Sequence, residues 1–338
     1  MVSVVALGAI TGGTNINISE VELAELGFAP DSYHILSGEQ MEAIRQRLVS
    51  MQGQLPPHNM GGSIANTADF IARAGVSCGL MGIGGNDAFG QAYAENCKST
   101  SLEFISPLLD GAVTGYDFYL DLADGRRTIL WTAGANSLLS PGLIDSKSLQ
   151  EAELLLLDGG ALDFGPESEA AVSFCAKVAE EAQVPFVLTL ASTRIVESYR
   201  SFFTTYAPRA QMVAGNLEQA AVLVGLEASA SLADVRKALS GTSINAVVTM
   251  DADGAFARFG DDEFLQPTQK IEPFDSVGAG DNFLGAFIVS RLQGLSIRQS
   301  LALGNFVSSK IIQIQNARLP LDCHIQKLLR KAMESMPS

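Results

Sequence analysis

Short apolar runs alternate with amphipathic stretches along most of the 338-residue chain. Residues 2–7 and 154–157 are nearly all apolar, which predicts strands that are buried on both faces. Apolar residues then recur at helical spacing, as they do after Ser37, where Gln40 completes a capping box that starts a helix. Buried strands separated by helices predict an α/β fold with a central, mostly parallel sheet between helices.

The same reasoning assigns the other elements of this sheet. Further buried strands are predicted at residues 76–81, 184–190, 211–214 and 246–250. Residues 8–14 are predicted to form a glycine-rich turn, and residues 165–182 a helix with Pro166 in its first turn. A terminal helix is predicted from Asp322 onward.

One segment has a different pattern. Residues 114–122 alternate apolar and polar side chains, which predicts a half-exposed strand, and Asp124-Gly125 is a hairpin turn before a returning strand at 128–131. This hairpin does not belong in a sheet that is buried on both faces. We expect a single domain over residues 1–338 with a small β-sheet lid from about 11–36 and 112–132. A half-exposed apolar lid often contacts a second subunit, so a monomer and a lid-mediated homodimer both remain open.

Composition excludes several classes of partner. The chain is 47% hydrophobic and carries 37 acidic against 22 basic residues, a formal charge of −15. A basic surface for nucleic acid or anionic membrane is therefore not expected. No apolar run approaches the roughly 20 residues of a membrane helix, and the N-terminus lacks a signal-peptide pattern. The four cysteines lie far apart, as expected for reduced thiols in a cytoplasmic protein.

Candidate chemistry lies late in the chain. Gly278, Ala279 and Gly280 precede Asp281, and an apolar helical pattern follows to about residue 294. The first N–H groups of a helix lack internal partners and attract anions, and small residues let an anion approach closely. A carboxylate at that position could act as a base. By itself the pattern also fits an ordinary glycine loop before a core helix.

Three motifs in order carry a resemblance to a known family. They are Gly-Gly-Ser-Ile-Ala-Asn-Thr at residues 61–67, the glycine-rich residues 82–90, and Asp-Ser-Val-Gly-Ala-Gly-Asp at residues 275–281. Together they resemble the signatures of the ribokinase-like (PfkB) family of sugar and nucleoside kinases. Stretches at 23–27, 187–190 and 311–320 resemble its adenosine-kinase-like branch. The resemblance implies a phosphotransferase with an alcohol acceptor, a β lid over the substrate, and ATP with Mg²⁺ as cofactors; it leaves a K⁺ requirement open.

The resemblance also implies roles for single residues. Asp281 is the expected base, and the backbone N–H groups of the preceding Gly278, Ala279 and Gly280 are expected to face the γ-phosphate. Asp275 matches a monovalent-cation site. Arg127 resembles a lid arginine that reaches the transferring phosphates, although Arg126 or a solvated turn arginine fits equally.

Binding residues are implied in the same way. Gly62 and Asn66 resemble the pair that contacts sugar hydroxyls, since an amide can both donate and accept. The residues that match positions of the ATP site are Asn216, Thr249, Gly254 and Asn305. His58 is predicted to be a loop residue rather than a ligand or base.

Two positions depart from the family pattern. Gly13 stands where the family has an aspartate that holds two substrate hydroxyls, and Asn15 or Asn17 could substitute for it. Gln219 stands where the family has a glutamate that organises hydrated Mg²⁺. A neutral amide can hydrogen-bond a metal-bound water but supplies no charge, so weaker metal dependence or slower turnover is expected.

Three functions compete. The first is an ATP-dependent kinase for a primary hydroxyl of an adenosine-like nucleoside or a ribose-type sugar, with fructose-, ribose- or 2-keto-sugar kinases as close alternatives. The second is a weakly active nucleotide- or nucleoside-binding protein on the kinase scaffold; retention of Asp281 favours the kinase. The third, a dinucleotide oxidoreductase, is rejected because Asp87 occupies the place of the third glycine in the fingerprint that Gly82 opens.

Overall fold

A nine-stranded sheet forms the centre of the computed structural model, which describes residues 2–106 and 108–334. Seven neighbouring strands are parallel, as predicted, and two antiparallel strands that the apolar pattern did not predict extend one edge. In spatial order the strands are Asp262–Gln266, Ala255–Phe259, Ala246–Thr249, Met212–Asn216, Phe186–Thr189, Leu154–Leu157, Val4–Leu7, Cys78–Met81 and Leu102–Phe104.

Helices cover both faces of this main sheet. Alternate residues of one strand enter different cores: Leu155 and Leu157 lie in one cluster, and Leu154 and Leu156 in the other. Burial on both faces explains why these strands are apolar throughout. The helices are Ser63–Arg73, Ala88–Ser99, Ser146–Glu151, Ser168–Ala182, Thr193–Ser198, Arg200–Tyr206, Leu217–Leu223, Leu232–Ser240, Ala279–Leu292, Ile297–Ile311 and Ile325–Glu334.

A separate five-stranded sheet, which we call the lid sheet, contains the predicted hairpin. Its strands in spatial order are Tyr33–Ile35, Arg127–Gly134, Thr114–Asp121, Thr11–Asn17 and Asn59–Gly61. Helices Glu20–Leu26 and Gly38–Gln52 cover one face. The capping box at Ser37 and Gln40 is confirmed at the start of the second of these helices.

The prediction of a half-exposed strand at residues 114–122 is wrong. Phe118 and Leu120 are buried in one apolar cluster with Leu23 and Met41 of the two lid helices. The polar side of the strand is also enclosed, since Asp117 is only 9% exposed. The apolar face that motivated a lid-mediated homodimer is therefore covered by the chain itself.

Two other local predictions are corrected. The glycine-rich turn predicted at 8–14 ends early, because Thr11 already begins a lid strand that continues to Asn17. The helix predicted from residue 165 begins at Ser168, so Pro166 lies in the preceding turn. The predicted terminal helix is Ile325–Glu334, and residues 335–338 lie outside the described residues.

The structure also describes the cysteines and the apolar character of the helices. All four cysteines are free thiols, and Cys78, Cys97 and Cys175 are buried. Within residues 2–106 and 108–334, no helix combines the length and apolar character required to span a bilayer.

Candidate active site

The carboxyl ends of the parallel strands open into a cavity of about 540 Å³. Ligands of open α/β sheets bind at this edge. All four residues predicted for an ATP site line the cavity, namely Asn216, Thr249, Gly254 and Asn305. The start of helix Ala279–Leu292 also lines this cavity, which therefore brings the predicted nucleotide residues and the predicted base together.

Asp281 lies in the first turn of that helix, where two side chains of another helix hold its carboxylate. Ser63 Oγ donates to Asp281 Oδ1 at 2.6 Å, and Asn66 Nδ2 donates to Oδ2 at 2.9 Å. Thr67 Oγ1 also donates to the Asp281 carbonyl at 3.0 Å. Burial raises the pKa of Asp281 to about 6, against the lowering effect of the Asn66 and Ser63 hydrogen bonds. The carboxylate is mainly ionised at neutral pH and suited to accept a proton.

The loop before Asp281 has the geometry that its glycines predict. Gly278 has φ +80°, and a Cβ there would lie 2.4 Å from the Ala317 carbonyl oxygen, so the position requires glycine. The Ala279 N–H donates to the Ser276 carbonyl at 3.2 Å and is not free for an anion. In the described part of the chain, the Gly280 N–H has no backbone acceptor, and this residue is exposed to the cavity. One of the three N–H groups predicted to face the γ-phosphate is therefore bonded within the loop, and the role of the others stays a prediction.

Arg127 joins the lid sheet to the same loop. Its guanidinium pairs with Asp121 on the neighbouring lid strand and with Asp275, where Arg127 Nη2 lies 3.2 Å from Oδ2. Asp275 Oδ1 also accepts from the Val277 N–H at 3.0 Å. The carboxylate predicted to bind a monovalent cation is therefore neutralised by a guanidinium, and this arrangement does not fit a K⁺ ion at Asp275. Arg127 contacts carboxylates rather than pointing freely toward a phosphate site, whereas Arg126 pairs with Asp124 and Glu20.

The predicted substrate residues lie on a lid strand, Thr11–Asn17, and at the start of helix Ser63–Arg73. Gly62 has φ +95°, and a Cβ there would lie 2.4 Å from the Ala9 carbonyl oxygen. Asn66 is buried, and its Oδ1 accepts from Arg318 Nε at 2.8 Å, so the amide is oriented with its nitrogen toward Asp281. Asn15 Nδ2 donates to Asp121 at 2.9 Å. Their contacts with substrate stay predictions.

The profile of the pfkB family of carbohydrate kinases matches residues 41–323. The chain belongs to this family. It is accordingly a phosphotransferase that acts on a hydroxyl group of a sugar or nucleoside.

Relatives of this pfkB-family kinase carry several activities. It is 27% identical over 262 residues to a 5-dehydro-2-deoxygluconokinase of Shouchella clausii (strain KSM-K16), a match that covers 75% of this chain and 80% of that protein. It is 24% identical over 253 residues to a ribokinase of Bacillus subtilis (strain 168), with coverage of 74% and 80%. These relatives agree with the family assignment, but their names include different acceptors and so do not identify the acceptor of this chain.

Solved structures show the same fold. The adenosine kinase from Sinorhizobium meliloti superposes with a TM-score of 0.85 at 21% identity, covering 98% of this chain and 99% of that one. Adenosine kinase from Schistosoma mansoni in complex with 2-fluoroadenosine gives 0.79 at 16% identity, with coverage of 94% and 97%. At these identities the likeness establishes the ribokinase-like fold of this pfkB-family kinase.

Both departures from the family pattern have structural explanations. Gln219 caps its own helix: its Oε1 accepts from the Asn216 N–H at 3.1 Å, and its Nε2 donates to the Ala191 carbonyl at 2.8 Å. Among residues 2–106 and 108–334, no group of three or more His, Cys, Asp or Glu side chains is arranged to hold a metal ion. Gly13 lies under the ring of Tyr119.

Three site residues of this pfkB-family kinase were missed by the sequence reasoning. Ser63 holds the base directly. Arg318 is buried and contacts Asn66, the Tyr93 hydroxyl at 3.2 Å and Asp69 at 3.5 Å. Asp158 follows strand Leu154–Leu157 and is buried, and its charge raises the pKa of Asp281. The rule that ligands bind at strand ends could have found Asp158, whereas no local signal marks Arg318. His58 is a loop residue, as predicted, and its Nδ1 lies 2.8 Å from Thr14 Oγ1.

Proposed function

We propose that this chain transfers the γ-phosphate of ATP to a primary hydroxyl of a nucleoside or a ribose-type sugar. The observation that carries the proposal is the position of Asp281. Its carboxylate is held by Ser63 and Asn66 at the wall of the cavity that the predicted nucleotide residues line. An aspartate that only stabilises the first turn of its own helix does not require hydrogen bonds from two side chains of another helix.

In this reaction Asp281 accepts the proton of the acceptor hydroxyl as the oxygen attacks the γ-phosphorus. The bond from the γ-phosphorus to the bridging oxygen breaks, and ADP leaves. Phosphoryl transfer depends mainly on positioning and charge stabilisation, which the Gly280 N–H and the positive end of the helix supply. Gln219 would offer a neutral amide to the water ligands of an Mg²⁺ ion bound with ATP, and such an ion would supply neutralisation of phosphate charge.

Charge favours a neutral acceptor. Three carboxylates lie on the elements that surround the site: Asp117 on a lid strand, Asp158 directly after strand Leu154–Leu157, and Asp281 in the first turn of its helix. Burial raises the pKa of all three. The two arginines described at this cleft, Arg127 and Arg318, are engaged by Asp275 and Asp69 respectively. An anionic acceptor would meet unbalanced negative charge, so a nucleoside or neutral sugar fits better than a gluconate-type acid.

A turnover assay with Mg·ATP tests this function. The acceptors are adenosine, other nucleosides, D-ribose, D-fructose and a 2-keto sugar acid, each with K⁺ and with tetramethylammonium. We expect phosphorylation of a neutral acceptor and little effect of K⁺. Turnover restricted to the sugar acid would contradict the charge argument and favour the 2-keto-sugar alternative.

Asp281→Asn tests the base. We expect phosphoryl transfer to be lost while ATP binding, measured by calorimetry, stays close to that of the unmodified chain. Asp234→Asn is a matched control, because Asp234 is also a first-turn acid but lies on helix Leu232–Ser240 outside the cavity lining. Substantial activity of Asp281→Asn, with the control also active, would refute the assignment.

A further inference from the structure

Asp117 occupies the lid-sheet position beside Gly13. Strands Thr11–Asn17 and Thr114–Asp121 are parallel neighbours, and their register places Gly13 opposite Asp117 and Asn15 opposite Tyr119. Neighbouring strands lie about 4.8 Å apart. The carboxylate that the family pattern expects at Gly13 is therefore present one strand away.

Asp117 faces the substrate side of the lid sheet. Side chains alternate between faces along a strand, and Phe118 and Leu120 point into the apolar cluster under the lid helices. Asp117, Tyr119 and Asp121 therefore share the opposite face. This is the face from which Arg127, paired with Asp121, reaches the loop of Asp275.

The ring of Tyr119 fills the space of a side chain at Gly13. A Cβ built on Gly13 lies 2.2 Å from a ring carbon of Tyr119, a separation that packed atoms do not adopt. An aspartate at this position would displace the ring. The glycine and the tyrosine are thus complementary in size.

The carboxylate of Asp117 has few partners for a buried acid. It is 9% exposed, and Oδ2 accepts from Thr11 Oγ1 at 3.0 Å. Within residues 2–106 and 108–334, this is the one hydrogen bond found for the group. A buried carboxylate is costly unless donors compensate its lost hydration, and acceptor hydroxyls can supply them.

Asp117 is also connected to the reaction centre through Tyr119. Burial raises the pKa of the Tyr119 hydroxyl, and the charges of Asp117 and Asp281 both raise it further. Tyr119 is therefore within the field of both carboxylates.

We propose that Asp117 binds hydroxyl groups of the acceptor, in place of the carboxylate that the family carries at the position of Gly13, and that the Tyr119 ring supports the acceptor ring. The inference rests on the proposed kinase function and narrows its substrate class. The acceptor is a neutral ring with free hydroxyls away from the phosphorylated one, such as an unsubstituted ribose ring.

The test is Asp117→Asn, which keeps the shape of the side chain and removes its charge. The probes are adenosine with its 2′-deoxy and 3′-deoxy forms, and D-ribose with 2-deoxyribose. We expect the acceptor KM to rise roughly tenfold to a hundredfold, as for the loss of hydrogen bonds to a charged group, with the KM for ATP unchanged. The unmodified chain should discriminate against one deoxy form, and Asp117→Asn should lose that discrimination.

Asp124→Asn is the matched control, since Asp124 lies in the exposed hairpin turn of the same sheet and pairs with Arg126. Thermal unfolding of both variants separates binding effects from misfolding. An unchanged acceptor KM and unchanged deoxy discrimination in Asp117→Asn would overturn the inference while leaving the kinase function intact. If the unmodified chain phosphorylates no probe, the proposed function fails. Calorimetric binding of the same probes to the unmodified chain and to Asp117→Asn then tests the inference. Equal affinities of the two proteins for the probes would refute it.

Discussion

Removal of the Ser63 hydroxyl should raise the pKa of the catalytic carboxylate. Ser63 Oγ donates to Asp281 Oδ1 at 2.6 Å, and this bond lowers a pKa that burial raises to about 6. In Ser63→Ala the hydrogen bond from Asn66 remains and that from Ser63 is lost, so less opposes the increase in pKa that burial causes. The ionised form of Asp281 is therefore less stable in the variant, and the base protonates at a higher pH.

The size of the change follows from the strength of the lost bond. A hydrogen bond to a charged group contributes about 1.5–3 kcal/mol, which corresponds to roughly 1–2 pKa units when nothing replaces it. Ser63 is exposed, so water can substitute for part of this effect. We expect the pKa of Asp281 to rise from about 6 to roughly 6.5–7.

The measurement is the pH dependence of kcat/KM for the acceptor, which reports ionisations of the free enzyme. Activity requires the ionised base, so kcat/KM falls as the pH falls through the pKa. The acid limb of Ser63→Ala should therefore lie at higher pH, and the two profiles should converge above roughly pH 8. Ser308→Ala is the control, because Ser308 lines the same cavity but donates to the Ala279 carbonyl at 2.8 Å instead of to Asp281. Coincident acid limbs for Ser63→Ala and the unmodified chain would refute the reasoning.

Two further variants test the lid contact and the metal position. Arg127→Ala removes the ion pairs to Asp121 and Asp275, so hydrogen exchange of residues 114–131 should be faster in the free variant than in the free unmodified chain. Substrate should slow the same exchange in the unmodified chain. Equal exchange in all samples would contradict a lid held by Arg127. Gln219→Glu keeps an oxygen acceptor for the Asn216 N–H and adds a negative charge. The Mg²⁺ concentration for half-maximal turnover should therefore fall. An unchanged Mg²⁺ titration would count against a role of residue 219 in organising the water ligands of Mg²⁺.

The main sheet was predictable because its signal is local. A strand such as Leu154–Leu157 is apolar throughout since each face enters a different core, and helices separate such strands along the chain. The lid strand Asn59–Gly61 was not predicted, because three residues after two prolines carry no periodic pattern. The alternation at residues 114–122 indicated correctly that the two faces differ. It could not indicate that the polar face, with Asp117, is enclosed as well.

Within the site, residue identities were more predictable than their contacts. Asp281 and the residues around the cavity were found from motif order, and they lie together. The partners that orient the base were not found, since Asn66 is 215 residues from Asp281 and Arg318 is 252 residues from Asn66. Such pairs are determined by the packing of helices and loops that share no local pattern.

Gly13 illustrates how a missing motif residue depends on its neighbours in space. Along the sequence, the position reads as the loss of a hydroxyl-binding carboxylate. In the lid sheet, Thr11 and Asp117 are 106 residues apart yet share a hydrogen bond, and the register that joins them also places Asp117 beside Gly13. The Tyr119 ring occupies the space that the small residue leaves. The small residue thus lies on one strand and the carboxylate on the neighbouring strand. The chemistry of a motif position can therefore be judged only together with its cross-strand neighbour.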